Sequence, residues 1–195
     1  MSNDLSRLLF AATFAADRHR GQRRKGPGAS PYINHPLAVA ALLADDGGIT
    51  DVELLMAALL HDTVEDTHTS RDEITELFGN AVGDLVAEVT DDKSLPKERR
   101  KQLQIENAAH KSDRAKQLKI ADKICNLRDI DAASPAGWDR DRKAQYLAWA
   151  VQVVEGCRGV NSALDQLFDE TISQARDRVN ASSPTTARPQ NGVTG

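Results

Sequence analysis

The sequence predicts an all-α protein, a single-domain bundle of about eight to ten helices. Three observations lead there. Apolar residues recur at helical spacing in nearly every segment, and no stretch has the strict alternation of a half-buried strand. Proline, glycine and capping residues punctuate the chain at helix-length intervals. The 195 residues, 40% hydrophobic and 28% charged, are enough for one core. Aromatics are only 4%, so Leu, Ala, Val and Ile must fill it.

In the first element Leu5, Leu8, Leu9, Ala12, Ala15 and Ala16 share a face, behind Asn3 or Asp4 as N-cap, and the helix is expected to reach about Arg20. Gly21, Gly26, Pro27, Gly28 and Pro31 break the chain, and the loop carries the basic run HRGQRRK. A short helix begins near His35–Pro36, since proline is tolerated in a first turn, and Gly47–Gly48 ends it. Thr50 or Asp51 caps the next, which holds LLMAALLHD and is apolar almost all round, the mark of a helix buried on most sides. Ser70 and Glu73 form a capping box for a helix that Gly79 interrupts, and another follows over 81–90. Pro96 opens a charged helix over 97–111. Further helices are expected at 113–131, 139–157 and 161–178. The domain is thus read as 1–178, and the small, polar, proline-containing remainder, 179–195, as a disordered tail.

The formal net charge of −4 argues against a general nucleic-acid binder. Cys125 and Cys157 have no metal-type spacing and suggest no disulfide framework, which fits a reduced, cytoplasmic setting. No signal peptide and no membrane-spanning run is read, so no membrane partner is expected.

The stretch HDTVEDT puts four metal-binding or proton-moving side chains at the end of a core helix. On a continuing helix Glu65 lies one turn after His61, and Asp66 one turn after Asp62. Three neighbouring carboxylates repel unless a cation neutralises them. His35, in YINHP, and Asp122, in KIADKICNLRD, are the distant candidates. Asp122 and Asn126 share a face, and an acid beside an apolar helix face needs a partner. His35, His61, Asp62 and Asp122 make a set of two imidazoles and two carboxylates without thiolate. That set suits Mn²⁺, with Fe²⁺ or Zn²⁺ as alternatives, and leaves open positions for Lewis-acid chemistry.

These residues resemble the H…HD…D pattern of HD-domain metal-dependent phosphohydrolases. HRGQRRKG, PYINHPL, ALLHDTVEDT, EVTDDKSLP and KIADKICNLRD, in this order, resemble the hydrolase domain of RelA/SpoT-homologue proteins, most of all its stand-alone small metazoan form. PAGWDRDRKAQYLAWAVQVVEG is similar to that form's C-terminal region, so the resemblance spans roughly 5–175. It implies an HD fold with Mn²⁺ on His35, His61, Asp62 and Asp122. It also implies hydrolysis of ppGpp and pppGpp at the ribose 3′ position to GDP or GTP and pyrophosphate. No synthetase domain fits in the remaining tail, so the chain is expected to degrade alarmone and not make it. Some stand-alone members remove a phosphate from NADPH, a second possible substrate.

The resemblance gives the Glu65–Asp66 pair the work of activating water and handling the leaving group's proton. It gives Arg24 the stacking on the nucleotide base and Lys25 a hold on the ligand. Tyr32 lines the pocket and Asn126 contacts ribose or base. Lys97, in PKERRK, is a candidate phosphate contact from a lid, and Arg142 with Tyr146, one turn apart, for the far wall. Asp129 stands where two-domain relatives often have a small hydroxyl residue. Cys125 is read as core, and His19, His68 and His110 as structural or surface residues. Another HD nucleotidase and a non-catalytic nucleotide sensor are the remaining alternatives. HRGQRRK and the acidic pair argue against the first, and the presence of every ligand and of the acidic pair argues against the second.

Overall fold

The computed structural model describes residues 4–26, 28–132 and 137–181. Among these, ten helices follow one another: α1 (Asp4–Arg18), α2 (Asn34–Asp45), α3 (Val52–Leu60), α4 (Thr63–Asp66), α5 (Arg71–Phe78), α6 (Asn80–Val89), α7 (Lys97–Ala108), α8 (Asp113–Ala132), α9 (Arg140–Glu155) and α10 (Ser162–Ala181). The pairing that is not helical is an isolated antiparallel bridge, Arg23 with Pro31, which folds the basic loop back on itself. No helix among the described residues is long and apolar enough to cross a membrane.

The expected stop signals act as their chemistry requires. The Asp51 carboxylate accepts from the amides of Glu53 and Leu54, at 3.1 and 3.3 Å, and so satisfies two of the donors a helix start leaves open. The Ser70 hydroxyl does the same for Glu73 at 3.1 Å. Asp139 accepts from the Arg142 amide at 2.8 Å, which fixes the start of α9. Gly79, at φ +93°, turns the chain from α5 to α6 in a conformation that side chains resist. The last helix runs to Ala181, three residues past its expected end, so residues 179–181 of the expected tail are helical. Residues 182–195 lie outside those described.

α3 lies at the centre, with all of Leu54–Leu60 buried. It packs against α1, α2, α6 and α8. Its all-round apolarity follows from having neighbours on every side. α8 is the second axis, in contact with α2, α6, α9 and α10. Its Leu118, Ile120, Ile124 and Leu127 are buried, and so, less expectedly, are Lys119 and Lys123.

α5 and α6 approach closely at Gly83. A Cβ there would stand 2.1 Å from the Thr75 hydroxyl and 3.2 Å from its Cα. Gly83→Val is therefore expected to destabilise the fold by about 1–3 kcal/mol, the usual cost of overpacking. Chemical denaturation would measure it, and an unchanged midpoint would refute the tight approach.

Candidate metal and nucleotide site

α3 does not continue through HDTVEDT. It ends at Leu60, and a one-turn α4 follows. Two side chains make the break possible by taking the carbonyls left open at the end of α3. His61 Nδ1 lies 2.7 Å from Ala58 O, and Thr63 Oγ1 donates to Leu60 O at 2.6 Å. The turn at Asp62 still keeps the Asp66 amide on the Asp62 carbonyl at 2.9 Å, so these two acids remain one turn apart.

The break turns His61 and Asp62 inward toward α2. Ligand atoms of His35, His61 and Asp62 lie within 4.8 Å of one another. Asp62 Oδ2 stands 3.3 Å from His61 Nε2 and 3.9 Å from His35 Nε2. Asp122 closes the group from α8, its Oδ1 at 3.1 Å from His35 Nε2 and 3.9 Å from His61 Nε2. Both histidines are buried. With Nδ1–H given to the Ala58 carbonyl, His61 presents its Nε2 lone pair inward, and that atom is buried without a hydrogen-bond partner. An orphaned imidazole nitrogen among two carboxylates and a second imidazole fits a divalent cation.

The electrostatics fit as well. Burial pushes the Asp62 carboxyl up, but His61 and His35 outweigh it and hold it below the ordinary carboxylate range. Burial likewise raises Asp122, while Lys123 and His35 pull it well below. His61 is lowered by burial and lifted more strongly by Asp62 and Asp122, to about 9. The pocket is thus built to hold positive charge, which a proton or a metal ion can supply.

Around this centre sits a layer of orienting contacts. The Tyr32 hydroxyl lies 2.7 Å from Asp62 Oδ2 and 3.0 Å from Asp66 Oδ2. The Tyr32 ring stacks on His19 at 4.8 Å, and the Arg24 guanidinium lies over it at 5.5 Å. Lys123 Nζ pairs with Asp122 Oδ2 at 2.9 Å and rests 4.7 Å from the Trp149 ring centre. Asn126 donates to Asp122 Oδ1 at 2.6 Å and accepts from Arg24 at 2.8 Å, while Asp129 also binds Arg24.

A cavity of about 550 Å³ opens beside the centre. Arg24, Lys25, Tyr32, Asp66, Asn126 and Tyr146 line it, with Asp129 and Trp138. Arg142 is exposed and lies 4.9 Å from the Trp138 ring centre, at the rim. Lys97 does not line the cavity and is exposed at the start of α7. Two cations from the same region reach the acidic pair instead. Lys93 pairs with Asp66, and Arg100 stands 3.4 Å from Glu65 Oε1. Glu65 also accepts from the Asp91 amide at 3.3 Å, and its pKa is raised by burial and by the Asp91 carboxylate.

Sequence reasoning assigned no role to Lys93, Arg100, Lys123 or Trp138. Lys93 sat in the quoted EVTDDKSLP and Arg100 in PKERRK, so the motifs held them without a partner to give them meaning. Lysine is rarely buried unless paired, and the pair that allows Lys123 to be buried is the neighbouring Asp122.

Residues 11–151 match the HD domain family. The chain is 54% identical over 169 residues to guanosine-3′,5′-bis(diphosphate) 3′-pyrophosphohydrolase MESH1 of Xenopus tropicalis, covering 87% of this chain and 94% of that one. The human MESH1 is 52% identical over 174 residues, covering 89% and 97%. A solved structure of a metazoan orthologue of SpoT, described as hydrolysing ppGpp, aligns with a TM-score of 0.84 at 50% identity, over 87% of this chain and 95% of that one. Fold, residue pattern and relatives agree, and the chain belongs to the HD-domain family, in its branch of stand-alone metazoan-type SpoT homologues.

Proposed function

We propose that the chain is a metal-dependent guanosine-3′,5′-bis(diphosphate) 3′-pyrophosphohydrolase that uses Mn²⁺. The observation that supports this most is the gathering of His35, His61 and Asp62, with Asp122 against both imidazoles, beside a cationic, aromatic-lined cavity. The relatives that bear this activity's name match nearly their whole length. His35, His61, Asp62 and Asp122 would hold the ion. Without thiolate, that donor set suits Mn²⁺. A bound divalent cation supplies Lewis-acid polarisation of the phosphate and an acidified water.

The side chains do the rest. Arg24 is held by Asn126 and Asp129 at the cavity wall, where its guanidinium could stack on a purine base. Lys25 stands beside it at the cavity wall. Tyr32 orients Asp62 through its hydroxyl and lines the same wall. Tyr146 lines the same cavity, Arg142 rests on Trp138 of its lining, and Lys97 remains a candidate for the outer phosphates. In the reaction a water oxygen bonds to the phosphorus on the 3′ oxygen, and the bond from that phosphorus to the 3′ oxygen breaks. Glu65 takes the water's proton, and the Glu65–Asp66 pair returns a proton to the 3′ oxygen, giving GDP and pyrophosphate. Burial and Asp91 raise Glu65, which makes it a better proton acceptor than a free glutamate. Two buried free cysteines support a reducing, cytoplasmic setting.

Purified chain with Mn²⁺ should release pyrophosphate from ppGpp. NADPH, run in parallel, is expected to give the lower kcat/KM, and a higher value would make this an NADPH phosphatase. No turnover of either substrate by metal-loaded protein would end the enzyme reading.

The Glu65 environment gives a signed prediction. A base must be deprotonated, so the acid limb of log kcat/KM lies above that of an unperturbed glutamate. In Asp91→Asn the neighbouring charge is gone, Glu65 loses a proton more easily, and the limb should move to lower pH. Gln104, which donates to Asp91 Oδ2 at 2.7 Å, can still bond the amide oxygen. A limb that stays in place would exclude Glu65 as the titrating base.

A further inference from the structure

The segment between α6 and the first turn of α7 sends one cation to each member of the acidic pair. Lys93 pairs with Asp66 and Arg100 with Glu65. Neither is committed as other cations near the site are. Lys123 is 4% exposed and locked between Asp122 and Trp149. Arg24 is shared by Asn126 and Asp129. Lys93, by contrast, is 47% exposed, and Arg100 reaches Glu65 only at 3.4 Å, the limit of a hydrogen bond. Arg100 Nε is buried with no hydrogen-bond partner, and so is Gln104 Oε1 one turn further along α7. The guanidinium therefore keeps donors to spare, its Nε buried while the side chain as a whole stays 23% exposed.

The reaction leaves a pyrophosphate beside Asp62, Glu65, Asp66 and Asp91. Several negative charges meeting four carboxylates repel strongly unless cations stand between them. We infer that Lys93 and Arg100 are the pyrophosphate-holding residues, resting on Asp66 and Glu65 in the free chain and moving to the phosphate oxygens when substrate is bound. The planar fork of arginine suits two phosphate oxygens at once, and the lysine adds a mobile point charge. The exchange also frees Glu65 from its cation as the water arrives, so substrate binding itself uncovers the base. When the phosphorus–3′-oxygen bond has broken, the pair can return to the carboxylates and let pyrophosphate go. This inference rests on the proposed 3′-pyrophosphohydrolase reading.

The test uses the full chain with Mn²⁺ in excess and two products as inhibitors of ppGpp hydrolysis. In Lys93→Gln/Arg100→Gln the inhibition constant for pyrophosphate is expected to rise about tenfold or more, as for loss of one charge-assisted contact or two. That for GDP should stay within about twofold, because the base and ribose contacts are untouched. Arg100→Lys should recover part of the loss. Equal shifts for both products, or none for pyrophosphate, would overturn the inference and leave these ion pairs as structural ties. Calorimetric titration of the metal-loaded chain with methylenediphosphonate gives the same answer without turnover, and a thermal midpoint identifies a variant that has not folded. Should the double variant not fold, the single variants decide by the same two inhibition constants. A wild-type chain that leaves ppGpp intact would sink the functional reading alone, since the titration still reports whether Lys93 and Arg100 hold a diphosphate.

Discussion

Glu65→Gln is expected to keep its cation and lose ppGpp hydrolysis by about 10²–10⁴-fold, the range for removing a group that moves a proton in the transition state. The geometry separates the two functions. Glu65 sits in α4 with its carboxylate on the Asp91 amide and Arg100, away from the close group of His35, His61 and Asp62. Glutamine keeps the amide contact and the volume but cannot accept the proton. Asp66→Asn should behave alike, although its ties to Tyr32 and Lys93 will loosen and KM will rise with the fall in kcat. Metal content measured on the purified variants decides the matter. A Glu65→Gln chain that loses its ion would make Glu65 a ligand and not a proton carrier.

Asp122→Asn is expected to lose both metal and activity. Asp122 touches His35 with one oxygen and Lys123 with the other, and it accepts from Asn126. Losing an outer-sphere partner of a metal commonly costs about 10–100-fold in affinity, and loss of a direct ligand should cost at least that. Alanine would be the poorer choice. It leaves the Lys123 ammonium, which is 4% exposed, without this acceptor, where the asparagine oxygen can still accept from it; breaking a buried pair outright costs about 3–5 kcal/mol. Any loss of activity would then mix unfolding with loss of the ion. Hydrolysis retained by Asp122→Asn at saturating Mn²⁺, with its thermal midpoint near wild type, would remove Asp122 from the site.

The helical class was legible because periodicity and caps act locally. Asp51, Ser70 and Gly79 meet their own neighbours, so their effect can be read without the rest of the chain. The candidate ligands were legible for a different reason. Histidine and aspartate at a helix end are weak evidence alone; the acidic pair one turn on, and the match of HRGQRRK, YINHP and KIADKICNLRD to the hydrolase pattern, gave them meaning. What could not be read was the break after Leu60, because it depends on which carbonyls His61 and Thr63 can reach. Lys97 and Arg100 show the same limit. Both lie in one charged run, and only the direction in which α7 leaves Pro96 decides that Arg100 meets Glu65 while Lys97 stays exposed.

The candidate ligands come from α2, the turn after α3, and α8, three parts of the chain that only the folded state brings together. An ion held there binds the native state and has no comparable site on the unfolded chain. Thermodynamic linkage then makes conformational stability a function of free metal: about 2.7 kcal/mol is gained when the ion stands at a hundred times its dissociation constant. Chelation should lower the unfolding temperature of the wild-type chain and leave that of Asp122→Asn nearly unmoved. In a metal-poor compartment this protein would become more prone to unfold before any substrate was withheld, so its abundance as well as its activity would track metal supply.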